Sequence, residues 1–277
     1  MIFIVCALHC EATPLISALS LRKDNAACPY DTFFSEDNSC VLVISGTGPI
    51  AGASATTYLL TRFRFTQGQD FLMNFGSCAG KAPGLYLINK ITEDTTDRDF
   101  YPDMLYDLSS CGLPASKEKA LVTVDHVVDS LPDTDSLYEM EAAGIFQAAS
   151  RFIPPHRMLF LKYVSDSGVD DPKQITREHL TNCAMEHIST VLSVFDKLKD
   201  NVEDAPSIDM DLFLTSVHAF CASETMQHEL RQLFTYAAAA DIPISEILDS
   251  FYESGALPAS SKRDGKAVLD ELRKRLV

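Results

Sequence analysis

The chain has no tryptophan and no Cys-x-x-Cys pair, and it is short of positive charge. It sets 23 lysines and arginines against 39 aspartates and glutamates, a formal net charge of −16 over 277 residues. Its eight cysteines are scattered at positions 6, 10, 28, 40, 78, 111, 183 and 221, with no Cys/His cluster of zinc spacing, so no metal and no cofactor is expected. An acidic surface repels a phosphate backbone, which excludes nucleic acid as an expected partner. The apolar run over residues 1–8 is too short for a signal-peptide core or a membrane span, no basic segment precedes it, and nothing later approaches spanning length. The expectation is a cytoplasmic protein with reduced thiols and no membrane partner. With 46% hydrophobic and 22% charged residues the composition is globular, and the length suits one large α/β domain or a domain with a small appendage.

Residues 2–8 form the continuous apolar run of a strand buried on both faces. Leu15, Ile16 and Leu19 give residues 11–21 a helical spacing. Residues 41–45 and 71–75 repeat the buried-strand pattern, and each run ends in glycine turns, Gly46-Thr47-Gly48 and Gly76-Ser77-Cys78-Ala79-Gly80. A helix rich in alanine and threonine is predicted over 50–62. Further strands are predicted over 85–91, 120–128 and 158–164, and helices over 139–149 and 174–198. Strands that run into glycine turns, each followed by a helix, predict a three-layer α/β sandwich with a mostly parallel or mixed central sheet. The polar, proline-containing stretch over 201–206 reads as a linker. Beyond it only helical patterns occur, over 210–221, 225–240, 244–252 and 262–276, punctuated by Asp241-Ile242-Pro243 and Gly255-Ala256-Leu257-Pro258. The expected organisation is an α/β domain over 1–200 and a small all-helical accessory domain over 206–277.

Ligands of open α/β sheets bind beyond the carboxyl ends of the strands. Five groups of polar residues fall there: Glu11; Ser45 to Gly48; Gly76 to Gly80; Glu139-Met140-Glu141; and Ser165-Asp166. Each has an ordinary structural reading. Glu11 can complement a helix dipole, Ser165 or Asp166 can cap a helix, and the glycines can simply turn the chain. Five such groups at strand ends of one chain favour a shared site.

Ala7-Leu8-His9-Cys10-Glu11-Ala12, Ser45-Gly46-Thr47-Gly48, Asn74-Phe75-Gly76-Ser77-Cys78-Ala79-Gly80, Glu139-Met140-Glu141-Ala142-Ala143 and Val164-Ser165-Asp166 carry a family likeness. In order and spacing they resemble the purine nucleoside phosphorylase and nucleosidase family, in its methylthioadenosine/adenosylhomocysteine nucleosidase branch. The resemblance covers residues 1–199 and not the helical appendage. It implies a nucleoside phosphorylase-like fold. It also implies hydrolysis of the N-glycosidic bond of a purine nucleoside of the 5′-methylthioadenosine or S-adenosylhomocysteine kind, with release of free base and sugar. By the same resemblance Asp166 protonates or hydrogen-bonds purine N7, oriented by Ser165, and Glu11 holds and activates the attacking water. Glu141 grips the ribose 2′ and 3′ hydroxyls with Met140 packed on the sugar, and Ser77 and Gly76 line the nucleophile site. Glu139, Lys162, His9, Val127 and Val128 complete the implied substrate-binding set. Sites of the family often borrow residues from a second subunit, so a homodimer is expected, with Phe100 and Tyr101 of Phe100-Tyr101-Pro102 as the lent piece. The other reading of that segment is an aromatic loop packed on its own domain.

The chemistry explains the division of labour. Breaking an N-glycosidic bond builds an oxocarbenium-like sugar and negative charge on the base. An acid on the base side meets the second need, and a carboxylate on the opposite sugar face meets the first while deprotonating water. Asp166 must then carry a proton at neutral pH, which burial or a like charge favours.

Two departures stand out. Lys162 takes the place where nucleosidases usually carry arginine, keeping the charge and losing the planar fork. Val127 and Val128 are aliphatic where an aromatic often stacks on the base, and their neighbour His126 reads as a surface or core histidine. Asn74 stands where phosphorylases place a phosphate-binding arginine, as it does in the hydrolases; Arg22 and Lys23 lie far past Glu11, and Lys81 reads as solvated. Water is therefore the expected nucleophile, with Lys162 the one residue able to restore phosphate binding. A phosphorylase and a catalytically degenerate nucleoside-binding module remain the alternatives. In the appendage, Leu212, Phe213, Phe220, Leu230, Leu233 and Phe234 predict a small helical core with a face toward the first domain or a protein partner. Residues 262–277 carry six basic and three acidic side chains, the pattern of a solvated basic helix end.

Overall fold

The computed structural model describes every residue except 27, 64, 66–69, 103–106, 133, 169–174, 204–207, 241 and 277. Strand β1 (Ile2–Cys6) is buried along its whole length. Its side chains alternate between two cores, as a two-residue period requires. Ile2, Ile4 and Cys6 join Leu15, Val191 and Val194 on one face, and Phe3 and Val5 join Ala55, Leu59 and Ile145 on the other. The first core takes α1 (His9–Ala18), α4 (Arg177–Glu186) and α5 (Ile188–Glu203), and the second takes α2 (Pro49–Arg62) and α3 (Ala142–Ala149). The layers are thus helix, sheet, helix.

Parallel strands β4 (Cys40–Ile44) and β5 (Phe71–Ala79) flank β1. Strand β3 (Thr32–Phe34) and then β2 (Arg22–Lys23) extend the β4 edge antiparallel. On the other side β10 (Met158–Asp166) runs parallel to β5, and β6 (Leu85–Glu93) runs antiparallel to β10. Strand β8 (Glu118–Thr123) follows parallel to β6, and β9 (Leu137–Glu139) parallel to β8. Strand β9 then meets β5 again through Ala79 and Tyr138, so β5, β10, β6, β8 and β9 close a ring. Strand β7 (Arg98–Phe100) hangs on β6.

Several elements differ from the sequence expectation. Strand β8 stops at Thr123, so residues 124–128 lie beyond it, where Asp125 and His126 face solvent. The segment expected as a helix from 139 is strand through Glu139, and its helix begins at Ala142. The long helix expected over 174–198 divides at His187 into α4 and α5; position 174 lies outside the described residues. The first helix begins at His9 and ends at Ala18, where 11–21 was expected. Residues 201–203 of the expected linker finish α5, and 204–206 lie outside the described residues, as does Asp241.

The chain divides into two compact units, Met1–Glu203 and Asp204–Val277. The second holds α6 (Met210–Ala219), α7 (Glu224–Ala239), α8 (Ile244–Glu253) and α9 (Lys262–Leu276). Asp209 and Ser223 cap α6 and α7 by accepting from the amides of Leu212 and Met226. Phe213, Phe220, Leu230, Leu233 and Phe234 are buried with Leu248, Phe251, Leu269 and Leu272 in one core, and Leu212 packs at its margin. Lys262, Arg263, Arg273, Lys274 and Arg275 of α9 are exposed, as a solvated basic helix end requires, and some of the basic groups also pair within this unit. Lys266 reaches Glu229 at 2.8 Å, Arg273 also pairs with Glu229, and the Arg275 guanidinium lies 4.5 Å from the centre of the Phe251 ring. Among the described residues no helix is long and apolar enough to cross a membrane.

Candidate functional site

A cavity of about 220 Å³ lies at the carboxyl ends of β1, β5, β9 and β10. Its wall brings together Glu11, Ser77, Glu139, Met140, Glu141, Ser165, Asp166, Val127 and Val128 of the expected set. It adds Ala7, Leu8, Thr47, Cys78, Ala79, Val124, His126, Tyr138, Ile175 and Leu180.

Glu11 is in the first turn of α1 and 2% exposed. Its Oε2 accepts from the Leu8 amide at 3.0 Å, and its Oε1 accepts from the Ser77 amide at 2.9 Å and the Ser77 hydroxyl at 2.6 Å. These bonds fix the carboxylate across the ends of β1 and β5. Gly76 does not line the cavity. It lies against Glu11, and a Cβ there would stand 3.4 Å from both carboxylate oxygens.

Strand register explains how Ser165 and Asp166 reach one cavity. Consecutive residues of a regular strand point to opposite faces. The pairing of β10 with β5 shifts between Val164 and Asp166, and a bulge of this kind re-aims a side chain. The Ser165 hydroxyl donates to Asp166 Oδ2 at 2.8 Å, and the Gly168 amide donates to Oδ1 at 3.0 Å. The Ser165 carbonyl lies 2.8 Å from His179 Nε2, which ties this end of β10 to α4.

The turn from β9 into α3 is built on Glu139. Its carboxylate accepts from the Thr123 hydroxyl at 2.7 Å, the Glu141 amide at 2.9 Å, both oxygens from the Ala142 amide at 3.1 and 3.0 Å, and Lys162 Nζ at 2.9 Å. Both side chains of the Glu139–Lys162 pair are 2% exposed. Lys162 is absent from the cavity wall. The structure corrects its expected substrate contact, because the ammonium sits behind the wall and is occupied by Glu139. Glu139 lines the cavity, but its oxygens are already filled by the turn it holds. Burial alone would push the Lys162 ammonium down; Glu139 and Glu141 overcome that and hold it above the usual lysine range.

Glu141 is left facing the cavity, 6% exposed, with the Gly48 amide donating to its Oε1 at 2.9 Å. Gly48 has φ +97°, a conformation that favours glycine, and it aims its amide from the start of α2. Burial and then the neighbouring Glu139 push the Glu141 carboxyl up to about 8. The approach of α3 to α2 depends on Gly144, where a Cβ would fall 2.0 Å from the Pro49 carbonyl oxygen. That contact brings Glu141 and Gly48 together.

Other expected residues stand elsewhere. His9 lines a neighbouring groove instead of this cavity. Phe100 packs on Phe146 of its own unit, ring centres 5.3 Å apart, and lies in β7 and not in a loop. Tyr101 is 59% exposed. Val127 and Val128 reach the cavity from the segment after β8 instead of from a strand.

No protein-family model matches the chain. A 5′-methylthioadenosine/S-adenosylhomocysteine nucleosidase of Geobacillus thermodenitrificans is 27% identical over 174 residues, 62% of this chain. The match spans 66% of that relative, slightly under two thirds of its length. Among solved structures, the Arabidopsis thaliana 5′-methylthioadenosine nucleosidase in apo form superposes with a TM-score of 0.58 at 17% identity, covering 71% of this chain and 95% of that one. The chain has the nucleosidase fold. Within the same fold, a futalosine hydrolase mutant of Helicobacter pylori gives a TM-score of 0.57 at 14% identity, over 71% of this chain and 98% of its own. A methylthioadenosine/adenosylhomocysteine nucleosidase of Colwellia psychrerythraea in complex with adenine gives 0.55 at 22% identity, over 73% and 95%.

Proposed function

We propose that the chain hydrolyses the N-glycosidic bond of a purine nucleoside with a 5′ substituent of the methylthio or homocysteinyl kind, releasing free base and sugar. One observation carries the reading: three carboxyl groups, Glu11, Glu141 and Asp166, meet in one small cavity, each held by its own hydrogen bonds. Asp166 is the acid on the base side and passes a proton to N7. Glu141 binds the two ribose hydroxyls, with Met140 against the sugar. Glu11 orients a water on the opposite sugar face and takes its proton. Val124, Val128 and Tyr138 supply apolar walls for the base. The name of the Geobacillus relative supports the same substrate class.

Water is favoured over phosphate. An oxyanion needs several fixed donors, and among the described wall residues there is no lysine or arginine. Lys162, the one cation that could have served, is held by Glu139. The reading extends to a cytoplasmic homodimer and to a C-terminal unit that serves as an accessory interaction module for a protein partner, not as a source of catalytic residues. A panel of purine nucleosides, incubated with and without phosphate, is the test. Free base with free sugar, at a rate indifferent to phosphate, is expected. Sugar 1-phosphate would assign phosphorolysis, and saturable binding without turnover would assign a binding module.

A further inference from the structure

The cavity does not end at its apolar wall. Leu8, Ile175 and Leu180 line it and also line a second concavity of about 400 Å³, completed by His9, Cys10, Thr13, Arg177 and Thr181. The two spaces therefore share a rim, and the shared residues are all apolar. On the proposed reading the other parts of the first cavity are assigned: the base end to Val124, Tyr138 and Asp166, the sugar diol to Glu141, the attacking water to Glu11 and Ser77. The Leu8–Ile175–Leu180 rim is what remains for the 5′ end of the nucleoside. At about 220 Å³ the first cavity is below the ~300–1,000 Å³ usual for small-molecule sites, so a long 5′ substituent must cross that rim.

Beyond it the chemistry changes. Arg177 is exposed and, among the described residues, has no carboxylate within ion-pair distance. Among the described residues no acidic side chain lines the groove. In a chain of net charge −16, the described lining of this groove carries a guanidinium and no carboxylate. His9 and the hydroxyls of Thr13 and Thr181 add polar groups; the Thr181 hydroxyl is engaged by the Cys10 carbonyl at 2.9 Å, and the Thr13 hydroxyl by the His9 carbonyl at 2.8 Å. Arg177 is the permanent cation of the groove, beside the His9 ring, and its planar fork suits a carboxylate.

We infer that this groove receives the anionic end of the 5′ substituent, with Arg177 as its cation, so that the chain discriminates a 5′-thioether ending in a carboxylate from an uncharged one of similar length. The inference rests on the proposed nucleoside reading and assigns a specificity residue to it. The test compares 5′-(carboxypropylthio)adenosine with 5′-butylthioadenosine in equilibrium binding to the full chain, alongside base release from each. At low salt the carboxylate ligand is expected to bind about fivefold more tightly, the scale of one exposed ion pair, and half-molar salt should shrink the ratio. Arg177→Gln should bring the ratio to about one, and Arg177→Lys should keep part of it. A ratio of one in the unaltered protein, or a ratio unmoved by Arg177→Gln, overturns the inference. Binding with the expected ratio but without base release would sink the hydrolase reading and leave the groove assignment standing. Binding of neither nucleoside would sink both.

Discussion

Lys162→Met removes one half of a buried ion pair and leaves the other in place. Glu139 and Lys162 are each 2% exposed and 2.9 Å apart. Breaking such a pair from one side costs about 3–5 kcal/mol, because a buried charge remains without its counter-ion. Glu139 keeps the Thr123 hydroxyl and the amides of Glu141 and Ala142, so the lower end, about 3 kcal/mol, is expected. The double variant Lys162→Met/Glu139→Gln removes both charges and keeps an acceptor for the turn, and it should recover most of that loss. Urea unfolding followed by near-ultraviolet tyrosine dichroism, reporting on the first unit through Tyr138 and Tyr163, measures both. The single variant should also lose base release, because Glu139 shapes the turn that presents Glu141. A single variant destabilised by less than about 1 kcal/mol, or a double variant as unstable as the single one, would refute the argument that this pair holds the turn.

Three further outcomes follow from the same geometry. The Glu141 carboxyl is raised to about 8 from 4.5, so the folded protein keeps a proton that the unfolded chain has released, and this group's contribution to stability falls as pH rises between those values. Glu141→Gln should therefore raise stability at pH 8.5 by ~1 kcal/mol or more in thermal unfolding, while riboside turnover falls about 10- to 100-fold; a variant no more stable than the parent at that pH contradicts the burial argument. Gly144→Ala forces a methyl group into the Pro49 carbonyl, so it should cost ~1–3 kcal/mol and weaken binding of ribosides through the displaced Glu141, which unfolding and binding assays would both read. Glu11→Gln should cut turnover about 10²–10⁴-fold with nucleoside binding retained.

What the sequence disclosed follows the range of the physics involved. The runs at β1, β4, β5 and β10 were readable because a strand buried on both faces is apolar throughout; Gly46 follows the end of β4, whereas β5 continues through Gly76, where a turn was expected, to Ala79. The positions of Glu11, Ser77, Glu141 and Asp166 followed from those ends. The strand expected over 120–128 was overrun because Val122, Val124, Val127 and Val128 continue a β-like composition past the point where pairing with β6 stops at Thr123. Glu139 read as the start of a helix because its neighbours are helical. Its side chain does cap the first amides of α3, but its backbone belongs to β9. The break at His187 has no glycine or proline to announce it. Tyr138, Ile175 and Leu180 were missed because no local motif marks them, and only the closing of the ring and the packing of α4 bring them to the cavity. Lys162 was visible as a cation near the acid, but its direction depends on a carboxylate 23 positions away.

The most direct test of the central claim is base release by Asp166→Asn set beside the unaltered chain, with 5′-methylthioadenosine as substrate and binding measured in parallel. The substitution keeps the shape of the side chain and removes the proton donor. A loss of about 10²–10⁴ in turnover, with nucleoside binding retained, is the predicted result. Turnover close to that of the unaltered chain, with folding intact, would remove Asp166 from the mechanism and contradict the account.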